Sequence, residues 1–154
     1  MKPITIIVCG KSAHVAVGVK EGIRPAYEAD RIEALHVIQS VEAGVRDIPP
    51  LLEGLPPPPK ERANLGTQEY GKKVAAVIAG GGYNDIDFEQ LRKACNGKSS
   101  IPWLRHDISK DIDLRQLRPK VGIEYGEQIA KKIVECLQGL EKEKKMNKDG
   151  VYWF

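Results

Sequence analysis

Short β-branched runs alternate along this chain with stretches whose apolar residues recur every three or four positions. Ile4-Thr5-Ile6-Ile7-Val8-Cys9, stopped by Gly10, predicts a buried strand. Over residues 12–23, Val15, Val19 and Ile23 fall on one helix face, with Ser12 placed as N-cap. Gly18 and Gly22, also four apart, would let this helix approach a sheet closely, and Arg24-Pro25 is expected to end it. Residues 32–38 predict a second strand, with Ile32, Ala34 and His36 on one face and Leu35 and Val37 on the other. Residues 41–55 predict helix broken at Pro49-Pro50, with Leu51, Leu52 and Leu55 as its apolar side. A third strand over 74–79 halts at Gly80-Gly81-Gly82, and Asp85 or Asp87 caps a helix that runs to Ala94. A fourth strand covers 100–104, and Arg105-His106-Asp107 then opens a polar loop. The last helix, 123–140, carries Ile129, Ile133, Leu137 and Leu140 on one face.

Strand and helix in alternation mean a parallel sheet with crossover helices. Right-handed crossovers restrict the topology to a three-layer α/β fold of four parallel strands, order 2-1-3-4, half-Rossmann or flavodoxin-like. Four prolines at 56–59 form a stiff polyproline spacer of about 12 Å, too short to divide the chain into two domains. Residues 1–154 therefore read as a single domain. A charged and aromatic extension over 141–154 closes it. Its last residues, Val151-Tyr152-Trp153-Phe154, are expected to dock, either as a lid over the ligand edge or on a twofold-related copy, with a groove on the chain's own surface away from the ligand as the alternative.

Composition narrows the function classes. With 154 residues, 42% hydrophobic and 29% charged, the chain is ordinary globular material and not a disordered tail. A net charge of +3 is too small to argue for nucleic acid, and no apolar run approaches a membrane span. Cys9, Cys95 and Cys136 are odd in number and share no C-x-x-C spacing, which argues against a disulfide framework or a structural zinc site. Three scattered histidines suggest no metal centre.

In open parallel sheets, ligands bind beyond the carboxyl ends of the strands, at the switch point between strands 1 and 3. That rule selects Cys9, Gly10, Lys11 and Ser12 from strand 1, and Gln39 and Ser40 from strand 2. It selects Gly80, Gly81, Gly82, Tyr83 and Asn84 from strand 3, and Arg105, His106 and Asp107 from strand 4. Glycine turns leading into helix N-termini offer N–H groups and a positive dipole end. With Lys11 and Arg105 they suit a phosphate or carboxylate. His106 is the candidate acid–base group and Cys9 a candidate nucleophile, its thiolate favoured by a helix N-terminus and Lys11.

Sharper motifs mostly fail. Gly10-Lys11-Ser12 imitates the end of a phosphate-binding loop, but Thr5 stands where the first glycine is required. A dinucleotide fingerprint needs glycines at 10, 12 and 15, and the chain has Gly10, Ser12 and Val15. Gln39-Ser40 replaces the acidic ribose partner, which leaves a phosphorylated ribose open, so NAD(P) or another nucleotide stays the candidate cofactor. A Cys9 phosphatase loop would need arginine where Val15 stands.

Two resemblances add to this. The run from Gly80 to Asp85 is similar to the glycine-rich turn of the lysine-decarboxylase-like nucleoside-monophosphate phosphoribohydrolases. Asn84-Asp85 replaces their Gly-Thr, and Phe88 occupies the place of their catalytic Glu. A wider set resembles small uncharacterised fungal single-domain Rossmann-like proteins. It comprises Val8-Cys9-Gly10-Lys11, Glu42-Ala43-Gly44 with Ile48-Pro49 and Leu51-Leu52, Ile101-Pro102-Trp103-Leu104-Arg105, Glu124-Tyr125-Gly126, and Lys145-Met146 with Asp149-Gly150-Val151. This resemblance covers most of the chain and implies the fold and a cytoplasmic setting, but carries over no catalytic residue. The expected function is binding of an anionic, nucleotide-like small molecule, in a homodimer. The alternatives are acid–base or transfer chemistry at His106 and Arg105, NAD(P)-linked or phosphoribohydrolase-like, and a purely structural dimer.

Overall fold

Every strand runs the same way, so all carboxyl ends meet at one edge of a single sheet. The structure, a computed structural model, describes residues 4–30, 32–59, 64–98, 100–110 and 121–154. The polar loop expected after Asp107 lies partly outside them. In chain order the elements are β1 (Ile4–Cys9), α1 (Ala13–Asp30), β2 (Ile32–Ile38), α2 (Val41–Leu52), β3 (Ala76–Ala79), α3 (Asp85–Ala94), β4 (Pro102–Arg105), a 3-10 turn (Ile108–Lys110), α4 (Val121–Lys142) and β5 (Gly150–Trp153). The sheet order is β2-β1-β3-β4-β5, with every neighbouring pair parallel. The expected order is thus present, extended by a fifth strand built from the aromatic tail.

Both sheet faces are covered, which is why β1 and β3 are buried along their whole length. On one face Ile6, Val8, Ile78 and Leu104 pack with Val19 and Ile23 of α1 and with Ile129, Ile133 and Leu137 of α4. On the other, Ile7, Val77 and Trp103 pack with Ile48 and Leu51 of α2 and with Phe88 and Leu91 of α3. This layout corrects the expectation of uniform crossover hand. The α1 connection runs from β1 to β2, while α2, α3 and α4 all carry the chain in the opposite direction across the sheet. Reversing both direction and face keeps the hand, so α1, α2 and α3 agree. Helix α4 reverses direction but shares α1's face, so its crossover has the opposite hand, against the ~98% rule. Its position covers the β3–β4 part of a face that α1 alone leaves bare.

Gly18 and Gly22 allow a close approach, but to α4 and not to the sheet. A Cβ at Gly18 would lie 2.1 Å from the Ile123 carbonyl oxygen, and one at Gly126 would lie 2.3 Å from that of Val15. Pro25 sits inside α1, and Pro49 and Pro50 sit inside α2, where breaks are expected from the sequence. Each proline forfeits an intrahelical bond. In α2 the burial of Ile48 and Leu51 holds the helix through them. In β2, a bulge shifts the register so that His36 pairs with Ile7 and Val37 with Val8. The expected alternation is thereby broken, and His36 turns to the α2 face while Val37 joins Ile32 and Ala34. No described helix is long and apolar enough to cross a membrane.

Candidate functional site at the carboxyl edge

The β1 and β3 turns lie against one another. The Gly80 N–H donates to the Cys9 carbonyl at 2.8 Å, and the Gly10 N–H donates to the Ile38 carbonyl at 2.8 Å. A Cβ at Gly80 would stand 3.0 Å from the Cys9 oxygen, and one at Gly82 would stand 3.5 Å from the Lys11 side chain. The edge therefore brings Gly10, Lys11 and Ser12 together with Gly80, Gly81 and Gly82. Lys11, Ser12, Gly81 and Gly82 are exposed, and no acidic residue occupies the first turn of α1. Gln39 is exposed at the end of β2.

Three of the selected residues, Ser12 among them, are helix caps. The Ser12 hydroxyl accepts from the Val15 N–H at 3.3 Å, and the Ser40 hydroxyl accepts from the Ala43 N–H at 3.1 Å. Asn84 forms a capping box: its side chain accepts from the Asp87 N–H, and the Asp87 carboxylate accepts from the Asn84 N–H. The cap of α3 is thus Asn84, not Asp85 or Asp87.

The two cations of the edge are both engaged by the first turn of α3. Lys11 Nζ donates to Asp87 at 2.9 Å and lies 5.1 Å from the Tyr83 ring centroid. The Lys11 bond is the main reason the Asp87 carboxyl is held below the ordinary range. Its side chain is still 44% exposed, which leaves the ammonium within reach of a solute. Arg105 is more confined. Its guanidinium donates to Asp85 at 2.8 Å and is sandwiched between Phe88, at 4.5 Å, and Trp153, at 4.4 Å.

Below this surface the selected residues turn inward. Tyr83 is buried and passes beneath Lys11 to donate its hydroxyl to the Ile38 carbonyl at 3.1 Å, and burial pushes its ionisation well up. Cys9 is 1% exposed, and burial raises its thiol far above the range in which a thiolate forms, so the thiolate role expected for it lacks its chemical basis. His106 is buried too, stacked on Phe154 at 5.2 Å and tilted against Tyr125 at 5.9 Å. A Cβ at Gly81 would lie 2.3 Å from the Ile108 side chain and 3.6 Å from the His106 Nδ1, so Ile108 already fills the space beside this glycine next to the ring. Phe88 is buried edge-on against Trp103, as core.

A polar network under α2 has no counterpart in the sequence reading. His36 Nδ1 lies 2.7 Å from the Tyr70 hydroxyl and its Nε2 lies 3.1 Å from Asp47, which also receives Arg46 Nε at 2.8 Å. Both His36 and Asp47 are fully buried. The only sequence signal was a histidine on a strand and an aspartate on a helix; their meeting depends on the bulge.

The chain is 30% identical over 152 residues to Kojic acid related protein 6 of Aspergillus oryzae, an alignment covering 97% of this chain and 86% of that one. It belongs to the family of that fungal protein. No family model matches the chain, and no solved structure matches it.

Proposed function

We propose that this member of the Kojic acid related protein 6 family binds a small anionic molecule at the carboxyl edge of its sheet. The observation that carries the reading is the meeting of two exposed glycine turns at the β1/β3 switch point, beside an α1 N-terminus free of acidic residues and an exposed Lys11. The ligand's anionic group would take the exposed N–H groups of the turns and draw Lys11 from Asp87. A nucleotide such as NAD(P) is the first candidate, since phosphate suits both donors. Chemistry at His106 and Arg105 is the less supported reading, because both groups would have to leave packed positions. The three cysteines are free thiols, which suits a reducing compartment such as the cytoplasm.

The test is a thermal-shift screen with ATP, NADPH and coenzyme A, followed by calorimetry. Kojic acid belongs in it because of the relative's name. A binding nucleotide should lose about tenfold or more in affinity with Lys11→Ala, the scale of one hydrogen bond to a charged group. Unchanged affinity in that variant, or no shift with any of the compounds at millimolar concentration, would overturn the reading.

A further inference from the structure

A cavity of about 890 Å³ opens at the other end of the sheet, where the strands begin. Parallel strands start at this edge together, so the apolar floor combines Ile4 of β1, Ala75 just before β3 and Ile101 just before β4. Met146, from the connection between α4 and β5, closes one side. The volume lies within the ~300–1,000 Å³ of small-molecule sites, and an apolar floor with a few polar groups is their usual chemistry.

The charge around the cavity is uneven. Lys72 lines it but is spent on Glu33 and Glu69. Glu141 contributes the wall's carboxylate. Lys73 and Lys144 have no acidic partner among the described residues. Lys144 follows the end of α4 with φ of +59°, a left-handed conformation that favours glycine. The negative end of α4 does not cancel this charge, because the Lys145 and Lys144 N–H groups already satisfy the carbonyls of Leu140 and Glu141.

We infer that this cavity is a second binding site, for an amphipathic organic anion whose apolar body lies on Ile4, Ala75, Ile101 and Met146 and whose carboxylate meets Lys73 and Lys144. The site is separate from the carboxyl edge, with the whole length of the strands between them. Two free ammonium groups select an anion, and the apolar floor selects a hydrocarbon or aromatic body over a bare inorganic ion.

Octanoate and its neutral counterpart 1-octanol are the probes, followed by calorimetry and by shift mapping of backbone amides and methyl groups. Octanoate should perturb Ile4, Ala75, Ile101 and Met146, and should lose about tenfold in affinity when Lys73→Ala and Lys144→Gly are combined. Octanol binding should be unaffected by that pair. Lys144→Gly by itself should not lower the melting temperature, because glycine suits the backbone there; the loss of affinity is then not a loss of fold. Lys11→Ala should leave octanoate binding intact, so the two sites stand or fall separately. Octanoate shifts confined to other residues, no octanoate binding at millimolar concentration, or equal affinity in the double variant would overturn the inference.

Discussion

At the scale of single residues, the edge is a set of side chains that have already found partners. Asp87 shows this most directly, since it closes the capping box of α3 and accepts from Lys11. Its carboxyl is held low, first by the Lys11 bond and further by the Asn84 N–H. A carboxyl lowered in the folded state contributes its stabilisation above the free value of ~3.9 and loses it as pH falls through the folded value. The Lys11 tie should therefore break only below about pH 4. A carboxyl-detected NMR titration should place Asp87 below that free value, and Lys11→Ala should raise it part of the way, leaving the capping contribution. No change in the variant would mean the ion pair does not form in solution. Sequence made part of this legible. Ser12 reads as a cap because a hydroxyl precedes an apolar-periodic run, whereas the cap of α3 reads as Asp85 or Asp87, because the acidic pair masks the Asn84 spacing three residues before Asp87. The pairing of Lys11 with Asp87, 76 positions apart, has no local signal. The same holds for His36, whose orientation depends on one bulge residue, since a one-residue shift moves every later side chain to the other face.

At the scale of elements, the spacing of Gly18 and Gly22 correctly announces a close approach while saying nothing of the partner. Short-range periodicity reports that a face is small, and only the topology decides that α4 lies against it. The consequence is measurable. Gly18→Ala and Gly126→Ala each place a methyl group within about 2.3 Å of a backbone oxygen, which cannot move aside as a side-chain tip can. Each should cost about 3 kcal/mol or more in urea unfolding, at or above the upper end of ordinary overpacking. Gly139→Ala is the matched control: it lies on the same α4, exposed, with nothing within 4 Å of the added methyl group. It should stabilise by about 0.5–1 kcal/mol through helix propensity. Equal effects in the two classes would disprove the close α1–α4 contact, and with it the placement of α4 that gives the last crossover its opposite hand. Prolines mark the limit of reading at this scale. Pro25, Pro49 and Pro50 are read as stops because local hydrogen bonding forbids them, and α2 carries Pro49 and Pro50 because buried Ile48 and Leu51 outweigh the lost bonds.

At the scale of the molecule, the two edges of the sheet are treated differently. The outer side of β2 is covered by the segment around Gly66: the Thr67 and Gln68 N–H groups donate to the carbonyls of Ala34 and Leu35, and Asn64 exchanges bonds with Val37. Strand β5 pairs with β4 on its inner side, and among the described residues nothing pairs with its outer side. Val151 and Trp153 are 39% and 55% exposed there. An uncovered edge with apolar side chains is a template for another strand. A second copy of this chain offers the same open edge, and a twofold axis beside β5 sets the two strands antiparallel. We propose a homodimer built by antiparallel β5 pairing, with the aromatic tail as its seam. Within each copy, Phe154 also anchors the strand by stacking on His106, so Phe154→Ala should cost about 3 kcal/mol of stability, the low end for a buried phenylalanine. Val151→Lys separates the seam from the anchor. It places two ammonium groups across the axis of an antiparallel pair, while a single copy tolerates a long side chain at this exposed position. Sedimentation velocity should show a dimer for the unaltered chain and a monomer for Val151→Lys, whose melting temperature should stop rising with protein concentration. A monomer before any substitution, or a dimer that survives Val151→Lys, would show that the open edge of β5 is not where two copies meet.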